Sequence, residues 1–281
     1  MLSYRHAFHA GNHADVLKHV ILVQILTYLT AKPTPLWIID THAGAGRYDL
    51  SAEPAKKLGE FEHGIGRLWD AQDLPQAVAD YVEAVRALNP DGPLRHYPGS
   101  PWLAYRALRR DDRLRLFELH PNEVKLLART FNRTGRAVHI TAGDGLAALK
   151  ALLPPPSRRG LVLIDPSYET KHDYTAVLQA LKEGLKRFAT GTYALWYPEL
   201  ARLEARQLPE RLKHLPAKRW LHASLRVQAP ASDGFGMYGS GMFIINPPWT
   251  LAETLRQTLP WLTQRLAQDA SAAWRLETQE P

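Results

Sequence analysis

The sequence contains no cysteine in its 281 residues. This absence excludes disulfides, thiolate zinc sites, iron–sulfur clusters and a cysteine nucleophile. Long apolar runs are also missing. The stretch 19–29 is too short and too mixed to span a bilayer, and residues 1–19 lack the apolar core of a signal peptide. We therefore expect a cytoplasmic protein that does not act at a membrane.

Acidic residues are fewer than basic ones. Lys and Arg total 35 against 28 Asp and Glu, which gives a formal charge of +7. An excess of this size suits a polyanionic partner such as nucleic acid; a basic surface kept for solubility is the alternative. Hydrophobic residues make up 45% and charged residues 22% of the chain. These are ordinary proportions for a folded soluble protein, so extensive disorder is not expected.

Short apolar runs rich in β-formers alternate with longer helical patterns. Seven runs are predicted strands: 36–40, 113–118, 137–141, 161–165, 192–197, 220–227 and 241–246. Helical patterns lie between them, for example at 146–153 and 173–188. Near-continuous apolar strands separated by helices predict an α/β fold with a mostly parallel sheet. A glycine-rich loop separates the last two strands, which predicts a terminal antiparallel hairpin near one edge.

The interval after the first strand is longer than one crossover requires. The next strand follows about seventy residues later, whereas a βαβ unit needs about thirty. Apolar spacing at Ile65, Leu68, Val78 and Val82 predicts helices here; a long loop is the alternative. We predict a small helical insertion at residues 49–98, within a main domain made of residues 1–48 and 99–281.

Acidic residues follow three of the predicted strands. The first strand leads into Asp40-Thr-His-Ala-Gly44-Ala-Gly46, at a strand end where doubly wound sheets bind ligands. The third glycine of a dinucleotide fingerprint is missing, so the loop better matches one that cradles the amino-acid part of S-adenosylmethionine; an ordinary turn is the alternative. Glu118 ends the next strand, where a carboxylate can bind ribose hydroxyls. Asp144 follows the third, where it can bind an adenine amino group or simply cap a helix.

Two tetrapeptides are candidates for the methylation of an amine. Asp165-Pro166-Ser167-Tyr168 follows the fourth of the central strands, and Asn246-Pro247-Pro248-Trp249 follows the last strand. An acid or amide side chain and a backbone carbonyl can hold an exocyclic amine by its protons, while an aromatic face stacks on a splayed base. The second tetrapeptide matches the pattern Asp/Asn-Pro-Pro-aromatic in full. We favour the first, because its strand is expected beside the strand that carries the donor loop.

The N-terminal segment is dense in titratable groups, with four histidines in residues 4–19. It leads into an amphipathic helix that we expect to be capped by Asn12 and to end near residue 29. His9 and His13 have the spacing of two metal ligands on a helix, but Gly11 disfavours a helix there and no nearby glutamate completes a zinc motif. We expect no bound metal, and interpret the segment as a lid that covers the methyl donor and touches nucleic acid.

Six segments together resemble one known family. They are YRHAFHAGNHADVLKH, IDTHAGAGRYDL, YPGSPWLA, FELHPNE, IDPSYE and GSGMFIINPPW. In order and over essentially the whole chain, they resemble the RlmJ family of bacterial methyltransferases, which modify N6 of one adenine in 23S ribosomal RNA. The resemblance implies a Rossmann-like class I methyltransferase fold with an inserted helical subdomain. It also implies S-adenosylmethionine as methyl donor, 23S ribosomal RNA as partner and a monomeric enzyme.

The motifs and the resemblance together assign roles to individual positions; Gly44, Pro166 and Tyr168 come from the motifs. Catalytic roles are expected for Asp165, Pro166, Tyr168 and Lys18; donor contacts for His19, His42, Gly44, Ser100, Glu118, Asp144, Gly145 and Asp165; and substrate contacts for Tyr4 and His6. Spacing alone predicts Ser100, before Pro101, as a helix N-cap. Ser167 departs from the family, which has proline there.

Two other functions would use the same features. A DNA adenine-N6 methyltransferase would use the same tetrapeptide, although no separate target-recognition domain is evident. A non-catalytic nucleic-acid-binding protein involved in DNA utilisation would need neither Asp165 nor the acids at the strand ends. The basic residues at 202–226 predict RNA contact or a solvated helix face equally well.

Overall fold

The computed structural model describes residues 5–280 of the chain. The strands in this range are β1 Trp37–Asp40, β2 Arg47–Asp49, β3 His96–Pro98, β4 Arg113–Glu118, β5 Val138–Ala142, β6 Gly160–Ile164, β7 Thr192–Glu199, β8 Trp220–Arg226, β9 Gly239–Ile245 and β10 Ala273–Gln279. Eight of them form one sheet in the order β10-β8-β9-β7-β6-β1-β4-β5, and β2 pairs with β3 in a second, two-stranded sheet.

The main sheet confirms the predicted α/β fold. Strands β7, β6, β1, β4 and β5 are parallel, whereas β9 runs antiparallel to β7 and β8. The seven predicted strands all form, and the predicted hairpin is β8–β9. Strand β10 was not predicted, because most of its side chains are exposed and it has no apolar run. It forms by antiparallel pairing with β8, and so covers an edge that the hairpin would otherwise leave open.

Helices cover both faces of the sheet. They are α1 His13–Thr30, α2 Glu53–Leu58, α3 Gly66–Trp69, α4 Gln76–Arg86, α5 Ser100–Ala107, α6 Pro121–Thr130, α7 Gly145–Leu152, α8 Lys171–Arg187, α9 Leu203–Lys213 and α10 Leu251–Leu266. Successive strand side chains point to opposite faces, so Ile38 packs into the core with α1 and α10, and Ile39 into the core with α8 and α9. Burial on both faces explains the near-continuous apolar strands.

Helix α1 begins where it was predicted to begin, but its burial differs from the predicted pattern. Asn12 caps it, since its side-chain oxygen accepts hydrogen bonds from the N–H groups of Ala14 and Asp15 at 3.0 Å. The expected amphipathic pattern is wrong: every residue from His13 to Leu22 is buried. Helices from the interval 49–98 cover the side of α1 that would otherwise meet water, and Val78 and Val82 of α4 share its core.

The interval 49–98 contains α2, α3 and α4, as predicted, together with a short 3-10 helix at Glu60–His63. Pairing of β2 with β3 joins the two ends of the interval. The division of the chain into a main domain and a subdomain at residues 49–98 stays a prediction. The helices nevertheless bring residues of this interval to the same edge of the sheet as the ends of β1, β4 and β6.

Candidate functional site

A cavity of about 580 Å³ opens at the carboxyl ends of the parallel strands, the edge at which open α/β sheets bind ligands. The predicted site residues that line it are His6, Lys18, His19, His42, Gly44, Ser100, Glu118, Asp165 and Pro166. Three other predicted residues, Asp144, Gly145 and Tyr168, do not line it. The prediction for Tyr4 falls outside the described residues.

A buried chain of charges crosses one wall of the cavity. Lys18 Nζ lies 2.8 Å from Asp15 Oδ1 and 2.6 Å from Asp165 Oδ2. Burial works against the charge of Lys18, but the two carboxylates outweigh it and raise the lysine pKa above its ordinary value. Asp15 Oδ2 also accepts a hydrogen bond from the N–H of Gly11 at 2.8 Å and lies 2.9 Å from His6 Nε2. Asp165, at the end of β6, is thus oriented by a cation from α1.

Asp40, at the end of β1, is almost fully buried at 1% exposure. Its carboxylate accepts hydrogen bonds from Ser100 Oγ at 2.7 Å and from the N–H of His42 at 3.2 Å. Burial raises the pKa of Asp40 to about 7, although both hydrogen bonds oppose the shift. The predicted N-cap role of Ser100 is wrong: Gly99 is the cap position, Ser100 begins α5, and its hydroxyl is used by Asp40.

The glycine loop after β1 is tied to the end of β4. Gly44 has a positive φ of 58°, and its N–H donates to Glu118 Oε2 at 2.8 Å. The other carboxylate oxygen accepts from the N–H of His120 at 2.7 Å. A side chain at Gly44 would place its Cβ 2.3 Å from the hydroxyl of Tyr48. Each oxygen of Glu118 uses one lone pair inside the protein, so each keeps one for a ligand in the cavity.

His19 carries an unpartnered polar atom beside this cavity. Its Nδ1 lies 2.7 Å from the hydroxyl of Tyr97, which lies 2.9 Å from the hydroxyl of Tyr81. Its Nε2 is buried and makes no hydrogen bond with the described residues. Burial lowers the pKa of His19 to about 3, so the ring is neutral at pH 7. Because His19 lines the cavity, water or a ligand there can partner this nitrogen.

Asp144 and Gly145 lie beside the site without lining it. Asp144 Oδ1 accepts a hydrogen bond from the N–H of Ala147 at 3.1 Å, so the alternative of a helix cap is confirmed. A side chain at Gly145 would place its Cβ 2.3 Å from the carbonyl oxygen of Thr41. Gly145 therefore permits α7 to approach the loop after β1. A direct role of these two residues toward a ligand stays a prediction.

Tyr168 and Trp196 divide the expected aromatic role between them. Tyr168 has a left-handed φ of 52°, its side chain is 2% exposed, and its hydroxyl donates to the carbonyl of Trp196 at 2.8 Å. In this conformation its ring supports the loop from inside and offers no face to the cavity. Trp196, near the end of β7, does line the cavity, and its ring centroid lies 5.7 Å from Lys18 Nζ.

The second tetrapeptide lies at the opposite edge of the sheet. Because β9 runs antiparallel to β7, its carboxyl end meets the beginning of β7, and Ile245 pairs with Tyr193. Asn246 Nδ2 donates to the carbonyls of Ala189 and Gly191 at 2.8 and 2.7 Å. Asn246 therefore holds a loop together on the side of the sheet away from the cavity.

The N-terminal segment forms one wall of the cavity from His6 onward. Glu60 ties it to the interval 49–98, since its two oxygens lie 2.9 Å from His9 Nδ1 and from Asn12 Nδ2. Burial lowers the pKa of His13 to about 4. Among residues 5–280, no group of three or more His, Asp or Glu side chains is arranged to hold a metal ion.

Several contributors to the site carry no signal that spacing could have shown. Asp15 resembles an ordinary acidic residue in the first turn of a helix, Trp196 resembles a strand residue, and Tyr97 comes 78 positions after its partner His19. Their importance depends on contacts between distant parts of the chain. Only the polar density of residues 4–19 pointed to Asp15.

Comparisons with known proteins agree over nearly the whole chain. The family model described as "Ribosomal RNA large subunit methyltransferase D, RlmJ" matches residues 33–278. The chain is 48% identical over 278 residues to the ribosomal RNA large subunit methyltransferase J of Haemophilus influenzae, covering 99% of this chain and 98% of that protein. It is 49% identical over 266 residues to the protein of the same name from Escherichia coli, covering 95% and 94%.

A solved structure shares the fold. The crystal structure of protein LPL1258 from Legionella pneumophila superposes with a TM-score of 0.88 at 37% identity, covering 96% of this chain and 98% of that one. Within residues 5–280, none of the helices combines the length and the apolar character needed to cross a membrane.

Proposed function

The chain belongs to the RlmJ family of ribosomal RNA large subunit methyltransferases, and from this premise we propose that it transfers a methyl group from S-adenosylmethionine to N6 of an adenine in 23S ribosomal RNA. It is a methyltransferase by family. Its sheet is the Rossmann-like sheet of class I methyltransferases, extended by β10. The observation that carries the proposal is the position of Asp165, which follows a central strand, lines the cavity and is held by Lys18.

The residues around the cavity fit S-adenosylmethionine. The free lone pairs of Glu118 suit ribose hydroxyls, and His19 Nε2 lacks a partner among the described residues. Gly44 adopts a positive φ that lets the loop backbone approach a ligand closely. When bound, S-adenosylmethionine supplies an electrophilic methyl group on a positively charged sulfur.

The tetrapeptide is suited to holding an exocyclic amine. The lone pair of such a nitrogen is delocalised into the base, so the amine is a poor nucleophile until it is reoriented. Asp165 and the carbonyl of Pro166 can accept hydrogen bonds from its two N–H groups and turn the lone pair toward the methyl donor. Lys18 holds Asp165 in one orientation through their 2.6 Å contact, and fixed acceptors of this kind act without reorganising during the reaction.

The aromatic face for the target base comes from Trp196 in this proposal. Trp196 lines the cavity next to Lys18, and aromatic rings stack on bases that have left their helix. Tyr168 then acts indirectly, by bonding the Trp196 carbonyl and so joining the tetrapeptide loop to the end of β7. The N-terminal segment from His6 onward covers donor and base, and the enzyme acts as a monomer in the cytoplasm.

A methyl-transfer assay tests the proposal. The full-length protein is incubated with labelled S-adenosylmethionine and 23S RNA transcribed without modifications, and the labelled base is mapped. We expect label at N6 of one adenine, and labelling about a hundredfold slower with Asp165→Asn. Label only in DNA offered in parallel would support the DNA methyltransferase instead. Nucleic-acid binding without any uptake of S-adenosylmethionine would support a non-catalytic binding protein.

A further inference from the structure

His19 is joined to the interval 49–98 by two buried tyrosines. Its Nδ1 contacts the hydroxyl of Tyr97 in β3 at 2.7 Å, and that hydroxyl contacts the hydroxyl of Tyr81 in α4 at 2.9 Å. All three side chains are fully buried. The rings of His19 and Tyr97 are also stacked, with centroids 5.5 Å apart and planes at 28°. The position of the His19 ring is therefore set by residues outside the strands of the main sheet.

The direction of the hydrogen bonds follows from counting donors. Burial raises the pKa of both tyrosines above the ordinary value, so each keeps its proton. The hydroxyl of Tyr81 has Tyr97 as its only hydrogen-bond partner among the described residues. If Tyr97 donated to Tyr81, the proton of Tyr81 would have no acceptor among the described residues, and Tyr81 does not line the cavity; a buried unpaired donor costs about 1–3 kcal/mol. In the opposite direction the remaining donor is His19 Nε2–H, and His19 lines the cavity, where water or a ligand can accept its hydrogen bond. Tyr81 therefore donates to Tyr97, and Tyr97 donates to His19 Nδ1.

This direction determines the tautomer of the neutral ring. A neutral imidazole has one N–H donor and one acceptor nitrogen. Because Nδ1 accepts from Tyr97, the proton must lie on Nε2, the nitrogen that has no partner among residues 5–280. We infer that Tyr81 and Tyr97 are positioning residues that present His19 Nε2–H as a hydrogen-bond donor to a carboxylate oxygen at the amino-acid end of the methyl donor. This inference rests on the proposed function for the identity of the ligand.

The tautomer can be measured without any ligand. In protein labelled with ¹⁵N-histidine, long-range ¹H–¹⁵N correlations distinguish a protonated ring nitrogen from an acceptor, and the His19→Gln variant assigns the signal. We expect a protonated Nε2 and an Nδ1 that accepts a hydrogen bond. Tyr97→Phe should move the Nδ1 shift to that of an unbonded acceptor. Tyr193→Phe is the matched control, because it removes a buried tyrosine hydrogen bond to the Phe188 carbonyl far from His19. A proton on Nδ1 would overturn the inference.

Binding of S-adenosylhomocysteine, measured by calorimetry, tests the second step. We expect His19→Leu to weaken binding about tenfold, or about 1.4 kcal/mol, and His19→Gln to retain most of the affinity because its amide can donate from the Nε2 position. For decarboxylated S-adenosylmethionine, which lacks the carboxylate, His19→Leu should cause almost no loss of affinity. Tyr97→Phe should weaken binding in the wild-type background and have no further effect with His19→Leu, as expected for residues that act through one another.

The outcomes separate the inference from the proposed function. Suppose that the wild-type protein binds S-adenosylhomocysteine normally. Additive effects of Tyr97→Phe and His19→Leu on the affinity, or an equal loss of affinity for the decarboxylated compound, would then overturn the inference and leave the proposed function intact. Failure of the wild-type protein to bind S-adenosylhomocysteine or S-adenosylmethionine would overturn the proposed function and the ligand half of the inference. The tautomer measured without ligand would then still test whether Tyr81 and Tyr97 determine which nitrogen of His19 carries the proton.

Discussion

Lys18 Nζ lies 2.6 Å from Asp165 Oδ2 and so joins the first helix to the loop after β6, across 147 positions of the chain. The same ammonium lies 2.8 Å from Asp15 Oδ1. Side-chain exposure is 5% for Lys18 and 1% for Asp15, but 14% for Asp165. The buried partner holds the cation in place, and the cation holds the carboxylate that faces the cavity.

Replacement of Lys18 tests this arrangement as a stability effect. Lys18→Met leaves the buried Asp15 carboxylate without its main counter-charge, and breaking a buried ion pair from one side costs about 3–5 kcal/mol. We expect the free energy of unfolding in urea to fall by about 3 kcal/mol at pH 7. The control is Lys171→Met, because the 2.8 Å pair of Lys171 with Glu204 is exposed and such pairs contribute at most about 1 kcal/mol. Equal small losses in both variants would show that the buried network carries little energy.

Replacement of Asp165 tests the chemistry. Asp165→Asn keeps the shape of the side chain but loses the charge that we expect to hold the target amine. The single-turnover rate should fall about a hundredfold, the scale of positioned acid–base and electrostatic groups, while donor affinity changes much less. Asn246→Ala should retain the wild-type rate below its melting temperature, because the Asn246 side chain bonds a loop at the opposite edge of the sheet. The reverse pattern would identify the second tetrapeptide as the catalytic one.

The sequence predicted the central strands well, because a strand that is buried on both faces has a continuous apolar run in the sequence. Leu161 to Ile164 are all buried in β6, and no other local structure explains such a short apolar run. Strand β10 has no such apolar run, since Trp274 and Arg275 are exposed and the strand forms by pairing with β8. Its formation depends on backbone hydrogen bonds to a distant edge, which a local pattern does not encode.

The sequence predicted which strand ends carry the residues of the candidate site, but not how the side chains there are oriented. Asp40, Glu118 and Asp165 were found because each follows an apolar strand, and the parallel order brings such ends together. The orientation of Tyr168 was not predictable, because it depends on a left-handed backbone at one residue. That single dihedral turns an aromatic ring expected to face the cavity into the core.

The raised pKa of Asp40, about 7 through burial, predicts a pH-dependent stability. The folded protein holds this proton between about pH 4 and pH 7, whereas the unfolded chain has already lost it. The contribution of Asp40 to stability is therefore present at low pH and is lost as pH rises through about 7, by at most about 1.4 kcal/mol per pH unit. Stability measured at pH 5, 6, 7 and 8 should fall for the wild type relative to Asp40→Asn. A constant difference between the two proteins would contradict the pKa shift.

The basic residues at 202–226 divide between the two edges of the sheet. Arg226 of β8 lies opposite Gly239 of β9, which in turn lies opposite Glu199 at the end of β7, close to the cavity. At the other edge, Trp220 lies opposite Ile245, which lies opposite Tyr193 near the start of β7. Arg202 donates to the carbonyl of Tyr168 at 3.3 Å and is therefore on the cavity side, with Arg206 one turn later on α9. Lys213 and Arg219 are paired with Glu277 and Glu280 far from the cavity.

This division predicts which charges contact RNA. Replacing Arg202 and Arg206 together by alanine should weaken RNA binding and reduce the slope of log K against log salt by about 0.7–0.9 for each phosphate that the variant no longer neutralises. Arg211 and Lys218, also exposed but nearer the opposite edge, form the matched double alanine control and should leave the slope unchanged. Filter binding at four salt concentrations measures both. Equal slopes for the two double variants would favour a solvated basic face.

Ser167 occupies the tetrapeptide position where the resembled family has proline. The structure gives Ser167 no hydrogen bond through its hydroxyl or its N–H to any of residues 5–280, and its φ is not positive. The free N–H suits proline, which has none, and a φ that is not positive is compatible with the value near −65° that proline fixes. We therefore expect Ser167→Pro to fold, and to be more stable by about 0.4–1 kcal/mol because the unfolded chain has fewer conformations to lose.

The effect of Ser167→Pro on the rate depends on its two neighbours. In the proposed function the carbonyl of Pro166 accepts a hydrogen bond from the target amine, and Tyr168 ties the loop to Trp196 through a 2.8 Å hydrogen bond. A proline between them restricts Pro166 to extended conformations and would hold carbonyl and aromatic in a narrower range of geometries. We expect an unchanged or raised kcat in steady-state kinetics. A tenfold loss of kcat, about 1.4 kcal/mol in the barrier, with normal folding and donor affinity, would mean that this loop needs the freedom of serine to bring the Pro166 carbonyl to the target amine.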